Sequence, residues 1–238
     1  MKLEIVSHCW HYSRLLSYQL SSLCLYPPNG VEVVATVFYA EKDTDTRHVL
    51  EYFVELSLAE NLTVRPWSVP VECLLRRSIG RNLAAQATTA DWVWFTDCDY
   101  LFGEECLEEL PAALKEVPGP LAFPRVVYHN ATHADGDRLV QKISAPGVYD
   151  VDCSQFVAKR LNRAIGGVQL VPGDVARANG YLPDTRWQQP ATRLRFCRCR
   201  EDRVYRAQLG TRGHPIKLPG VYRIRHSVCG RQHENVSL

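Results

Sequence analysis

The chain has 238 residues, 46% of them hydrophobic and 23% charged, with a formal net charge of +2. That is globular composition, neither disordered nor fibrous, and a chain this long buries roughly 70–75% of its unfolded surface without staples. Nine cysteines give no even framework, MKLEIVSHCW lacks a signal-peptide core, and no run is long enough to span a bilayer, which predicts free thiols in a reducing, cytoplasmic compartment.

In chain order, Leu3 to Ser7 reads as a short buried strand. A helix follows from Ser13, with Leu15, Leu16, Leu20 and Leu23 at helical spacing. Tyr26-Pro27-Pro28-Asn29-Gly30 stops it. Val31 to Tyr39, rich in β-branched residues, predicts a second strand. Thr44 to Glu60 predicts a helix and Leu62 to Trp67 a third strand. The Ala-rich stretch from Arg77 to Thr88 predicts a helix that leads into an almost purely apolar strand, Trp92 to Thr96. Asp97-Cys98-Asp99 follows at once. Strands alternating with helices predict an α/β fold with a mainly parallel sheet flanked by helices. Ligands in such sheets bind beyond the carboxyl ends of the strands, which is where Asp97 and Asp99 fall.

The second half is less regular. Glu104 to Glu116 predicts a helix interrupted or kinked at Pro111. Leu121 to Tyr128 predicts a strand and Asn130 to Gly136 a polar loop. Asp174 to Asn179 and Asp202 to Leu209 predict short helices closed by Gly180 and Gly210.

Two carboxylates separated by one residue, just past a buried strand, can hold a hard divalent cation through oxygen. A solvated turn is the bland alternative, and the apolar strand in front is what argues against it. From residue 193 onward, Arg193, Arg195, Arg198, Arg200, Arg203, Arg206, Arg212, Lys217, Arg223, Arg225 and Arg231 face only Glu201, Asp202 and Glu234. This basic C-terminal fifth predicts an anionic neighbour: a diphosphate, nucleic acid or an anionic lipid surface touched peripherally. No nucleic-acid-binding signature accompanies it, and four site carboxylates would repel a phosphate backbone, so a nucleic-acid partner is not expected.

Gly80-Arg81-Asn82, then an Ala-rich helix, an apolar strand and Asp97-Cys98-Asp99 resemble the core signature of family 2 glycosyltransferases. Ile165-Gly166-Gly167-Val168-Gln169 with Ala178-Asn179-Gly180-Tyr181 resembles the family's glycine pair and helix end. Glu201-Asp202 resembles its E-D element. His226, after Tyr222-Arg223-Ile224-Arg225, stands where related enzymes place a metal-binding histidine. These elements span about residues 3 to 227 in family order. The first strand departs from the family, ending Ser7-His8-Cys9-Trp10 where a P-T-Y-N-like turn is usual. The second ends Phe38-Tyr39 where an acid is usual, and Val204 replaces a further acid after the E-D element.

The resemblance implies one GT-A domain over 1–238, with a nucleotide-sugar donor half, 1–102, and an acceptor half, 103–238. It implies an inverting transfer from a nucleotide-diphosphate sugar, a UDP-sugar by expectation, to a hydroxyl of a glycan or other acceptor. Asp99 and His226 would hold Mn²⁺ or Mg²⁺, with Asp97 reaching the ribose or the metal. Ser7, His8 and Tyr39 would meet the nucleoside, and Arg76, Arg77 or Arg81 the phosphates, since guanidinium matches phosphate bidentately. Asp202 would be the general base and Glu201 would orient the acceptor. Gly166 and Gly167 would let backbone approach a sugar, and Trp187, otherwise a half-buried core aromatic, would stack on one.

Two alternatives compete. Cys197-x-Cys199 with His226-x-x-Cys229 supplies four zinc ligands, which would take His226 away from a catalytic metal and suit a zinc-stabilised basic nucleic-acid-binding module. A nucleotidyltransferase shares the sheet and the carboxylates, but no Gly-rich phosphate loop follows Leu3 to Ser7.

Overall fold

The structure is a computed structural model that describes residues 1–56, 59–141, 146–197 and 200–227. The first half follows the sequence pattern: β1 (Lys2–His8), α1 (Ser13–Leu25), β2 (Glu32–Tyr39), α2 (Thr44–Leu56), β3 (Leu62–Ser68), a single turn α3 (Val71–Leu74), α4 (Arg77–Ala87), β4 (Trp92–Phe95) and β5 (Tyr100–Phe102). α2 begins where Asp43 accepts from the backbone N–H of Thr46, a side-chain cap that fixes its start. It is shorter than predicted, its assigned helix ending at Leu56.

The second half runs α5 (Cys106–Lys115), β6 (Ala122–Pro124), β7 (Val126–His129), α6 (His133–Gln141), β8 (Val157–Arg160), β9 (Gln169–Pro172), α7 (Gly173–Asn179), a 3-10 turn (Thr185–Trp187), α8 (Glu201–Gln208), β10 (His214–Ile216) and β11 (Val221–Arg223). Two expectations are corrected here. Leu121 to Tyr128 is two strands that diverge at Arg125 into different sheets. Asn130 to Gly136 is not all loop, because α6 starts at His133. Its start is stabilised reciprocally: the Asp135 N–H donates to Thr132 Oγ1, and the Thr132 N–H donates to Asp135 Oδ2.

Seven strands form the central sheet in the order β10-β6-β9-β4-β1-β2-β3. Neighbours pair in parallel except β9, which runs antiparallel to both β4 and β6. This is the predicted mainly parallel sheet between helices. Alternate residues feed two cores. Leu3, Ile5, Ala35, Val37 and Trp94 pack with α1, α2 and α5 on one side. Val6, Phe38, Val93 and Phe95 pack with α3, α4, α7 and α8 on the other. β4 is buried on both faces, so it reads as a continuous apolar run. A second sheet, β5-β11-β7-β8, includes β5 from the first half of the chain.

All seven cysteines among the described residues are free thiols. No helix of the described residues is long and apolar enough to cross a membrane.

Candidate active site

The turn after β4 carries Asp97 and Asp99 away from the sheet, and α1 holds it from behind. Gln19, buried in α1, donates to the carbonyls of both Asp97 and Tyr100 at 3.0 and 3.2 Å. The backbone N–H of Ile224, just past β11, donates to the Asp99 carbonyl at 2.8 Å. β4, α1 and the segment after β11 thus fix the backbone that carries the two carboxylates.

Asp97 is gripped by one face of α4. Arg77 and Arg81 lie four residues apart and so project together; their guanidiniums reach Asp97 Oδ1 at 3.1 and 3.3 Å. Burial alone would raise the Asp97 carboxyl, but Arg77, Arg81 and Arg223 outweigh it and hold it well below the usual carboxylate range. Asp99 pairs with Arg223 of β11, Nε to Oδ2 at 2.9 Å, while its other oxygen, Oδ1, is buried without a hydrogen-bond partner.

Arg81 is 2% exposed and donates in several directions. Besides Asp97 it reaches the Tyr181 hydroxyl at 2.9 Å, the Thr96 carbonyl at 3.2 Å and the Gly166 carbonyl at 2.8 Å. Tyr181 in turn donates to Gln169 Oε1 at 3.0 Å, and burial pushes its phenol up to about 12, so the proton needed for that bond is present. Gly180, at φ +61°, makes the turn that delivers Tyr181 from α7.

His8, Arg77, Asp97, Asp99 and His226 line one narrow cleft, with Tyr12 and Phe196 beside them. His8 stacks on Phe38 with centroids 4.9 Å apart, and both its ring nitrogens are buried without a hydrogen bond. Burial first, then the nearby Arg81 and Arg77, push its pKa well down, so the ring is neutral. Gly80 makes room for it: a Cβ there would lie 2.3 Å from His8 Nε2 and 3.0 Å from the Phe38 ring. Gly80→Ala gains helix propensity of about 1 kcal/mol, yet overpacking of this kind costs about 1–3 kcal/mol. We expect net destabilisation in urea unfolding. A more stable variant would show that His8 is not held against Gly80.

A second wing adjoins the cleft. Glu201, buried at the start of α8, lies 4.0 Å from Arg76 Nε. Arg76 and Ser78 bond the carbonyls of Arg186 and Trp187, at 3.0 and 2.6 Å, which seats the half-buried Trp187 beside the start of α4. Asp202 pairs with Arg206 of the same helix at 3.0 Å, its side chain 32% exposed.

Other predicted residues sit differently. Ser7 is buried on the face shared with Leu3 and Ile5, and Tyr39 gives its hydroxyl to Glu41 at 2.8 Å; neither lines the cleft. A Cβ on Gly167 would lie 2.2 Å from the Tyr100 ring, so its bare backbone serves packing, whereas a Cβ on Gly166 would meet nothing. Cys199 and Cys229 of the zinc alternative lie outside the described residues, as do Arg198 and Arg231. Of the basic fifth, Arg206 and Arg223 are spent on Asp202 and Asp99, while Arg193, Arg195, Arg200, Arg203, Arg212 and Lys217 are exposed. Sequence reasoning missed Tyr12 and Phe196 as cleft residues and Arg223 as the partner of Asp99. For Arg223 the one signal was its place three residues before His226.

This fold is one that known glycosyltransferases share. TarS of S. aureus, residues 1–349 in complex with UDP-GlcNAc, matches with a TM-score of 0.56 at 16% identity, over 97% of this chain and 60% of that one. The same protein with UDP matches at 0.54 and 16%, over 93% and 60%. Mannosyltransferase PcManGT from Pyrobaculum calidifontis, in complex with GDP-Man and Mn²⁺, matches at 0.54 and 15%, over 93% and 56%. The chain thus spans 56–60% of the length of these structures. No protein-family model and no curated protein matches the sequence.

Proposed function

We propose that the chain is an inverting glycosyltransferase that moves a sugar from a nucleotide-diphosphate sugar, a UDP-sugar, to an acceptor hydroxyl. One observation carries this reading: Asp97 and Asp99 stand at the carboxyl end of β4 in a cleft ringed by guanidiniums, and a buried Asp99 oxygen there lacks a partner.

Among the described residues no three His, Cys, Asp or Glu side chains form a ready-made metal cluster. The donor set still fits a hard cation that shares its shell with substrate phosphate, as Mg²⁺ and Mn²⁺ do. Asp99, through Oδ1, and His226 would hold it, with Asp97 alongside. When bound, such a cation neutralises the charge that grows on the leaving diphosphate.

The remaining roles belong to the chain. Arg77 meets phosphate from α4, and Arg81 positions Asp97 and the Gly166 turn. Neutral His8 offers an unpaired nitrogen to the base or ribose. Asp202 takes the acceptor proton, Glu201 and Trp187 orient acceptor and sugar, and residues 1–102 carry most of the donor contacts. The exposed cations from Arg193 to Lys217 suit an acceptor presented at an anionic membrane surface.

The test is a panel of nucleotide sugars incubated with Mn²⁺ and assayed for released nucleoside diphosphate. We expect one donor to be turned over, and Asp99→Asn to abolish Mn²⁺-dependent nucleotide binding in calorimetry while leaving the melting curve intact. Equal Mn²⁺-dependent affinity in both proteins would take the metal from Asp99. No donor bound or turned over would remove the activity.

A further inference from the structure

We propose that Arg223 is a diphosphate-binding residue that Asp99 holds in waiting: its guanidinium occupies Asp99 until the nucleotide arrives and then moves to phosphate. This rests on the function proposed above and adds to it a residue with two opposed effects.

The backbone fixes where Arg223 can reach. β11 pairs antiparallel with β5, Arg223 opposite Tyr100, and Ile224 N–H bonds the Asp99 carbonyl at 2.8 Å. The side chain therefore stays near whatever binds Asp99. Its side chain is 33% exposed, and Asp99 and the Tyr100 ring, whose centre lies 5.3 Å from the guanidinium, are the contacts it would exchange for phosphate.

Charge decides what it does there. A guanidinium whose Nε sits 2.9 Å from Asp99 Oδ2 competes with a dication for the same carboxylate. Three guanidiniums, Arg77, Arg81 and Arg223, already face the two carboxylates Asp97 and Asp99. Before nucleotide binds, the cleft is therefore poorly disposed to a lone cation. A diphosphate reverses this: it brings negative charge for both the cation and the guanidinium, and Arg matches phosphate oxygens with two parallel N–H bonds. Arg223 thus opposes metal before the nucleotide and holds the nucleotide afterwards.

The opposed signs make the test. Calorimetry would measure Mn²⁺ alone, and UDP with saturating Mn²⁺, on wild type and Arg223→Gln. A charge-assisted hydrogen bond corresponds to about 10- to 100-fold in affinity. Arg223→Gln should therefore bind Mn²⁺ alone about tenfold tighter or more, and UDP about tenfold weaker or more. Arg223→Lys keeps the charge but lacks the fork, so it should restore the low Mn²⁺ affinity without restoring UDP binding in full. A purely structural Arg223 would weaken both ligands and lower the melting temperature. Mn²⁺-dependent UDP binding that is unchanged in Arg223→Gln, or Mn²⁺ affinity that does not rise, overturns the role of Arg223 and leaves the glycosyltransferase reading standing. UDP bound equally well in Mn²⁺ and in chelator would instead remove the metal from that reading, and the competition with it.

Discussion

Asp202→Asn is expected to slow sugar transfer by about 10²–10⁴-fold, the usual contribution of a general base, with donor and metal binding nearly unchanged. The amide keeps the size of the carboxylate but cannot take a proton. The geometry keeps the two acids of α8 apart. Glu201 is buried against Arg76, on the side of the arginine cluster, whereas Asp202 is pinned through Oδ2 by Arg206 and remains a third exposed. The exposed part of Asp202 is where an acceptor hydroxyl would meet it under the proposed reading, with Arg206 holding Oδ2. Both acids sit in the first turn of the helix, where the dipole favours negative charge. Single-turnover transfer and donor titration on both proteins decide the matter. Unchanged transfer in Asp202→Asn would move the base elsewhere, and Glu201→Gln is the companion to make first. Lost donor binding in Asp202→Asn would mean a structural role through Arg206.

The first half of the fold was legible because its elements are long and single-minded. β1 and β2 are buried along almost their whole length, β4 is apolar on both faces, α1 carries leucines at helical spacing, and Asp97 and Asp99 follow β4 with no intervening loop. The second half hides its signals. α6 buries only Gly136, so no apolar stripe marks it, although Thr132-His133-Ala134-Asp135 carries the capping pattern that starts it. β6 and β7 alternate like one strand, and only the sheet pairing shows that the chain changes layer at Arg125. The site was legible as a set of residue types but not as a network. Arg77 and Arg81 could be placed on one face of a helix from spacing alone. The pairing of Arg223 with Asp99 joins residues 124 apart, and that of Arg81 with Tyr181 residues 100 apart; both depend on the folded sheet. Ser7 and Tyr39 lie off the cleft for a simple reason: strands alternate, and the residues next to them, His8 and Phe38, face the other way.

Arg81→Leu should be the most destabilising single change in the site, at about 3–5 kcal/mol, the range for removing one partner of a buried charged pair. Leucine fills part of the volume but satisfies nothing. The Gly166 and Thr96 carbonyls and the Tyr181 hydroxyl each lose a donor, and Asp97 is left to Arg77 alone. These groups belong to three separate segments, the end of β4, the turn before β9 and the segment after α7, which Arg81 ties to α4. The loss therefore loosens the closure of the sheet around the cleft as well as one contact. Total stabilities run about 5–15 kcal/mol, so a loss of this size is a large share of the margin. At about 2–4 °C per kcal/mol for a chain of this size, the melting temperature should fall by about 6–20 °C. Arg81→Lys should recover only part of that, because an ammonium can reach one or two of the acceptors but cannot fork among four. Calorimetric melts of the three proteins measure this directly, and UDP titration should weaken in the same order as Asp97 loses its second guanidinium. A melting temperature within about 2 °C of wild type in Arg81→Leu would mean that water or Arg77 takes over the freed acceptors. In that case Arg81 would owe its place to phosphate binding rather than to holding Asp97, and the loss of UDP affinity would then exceed the loss of stability.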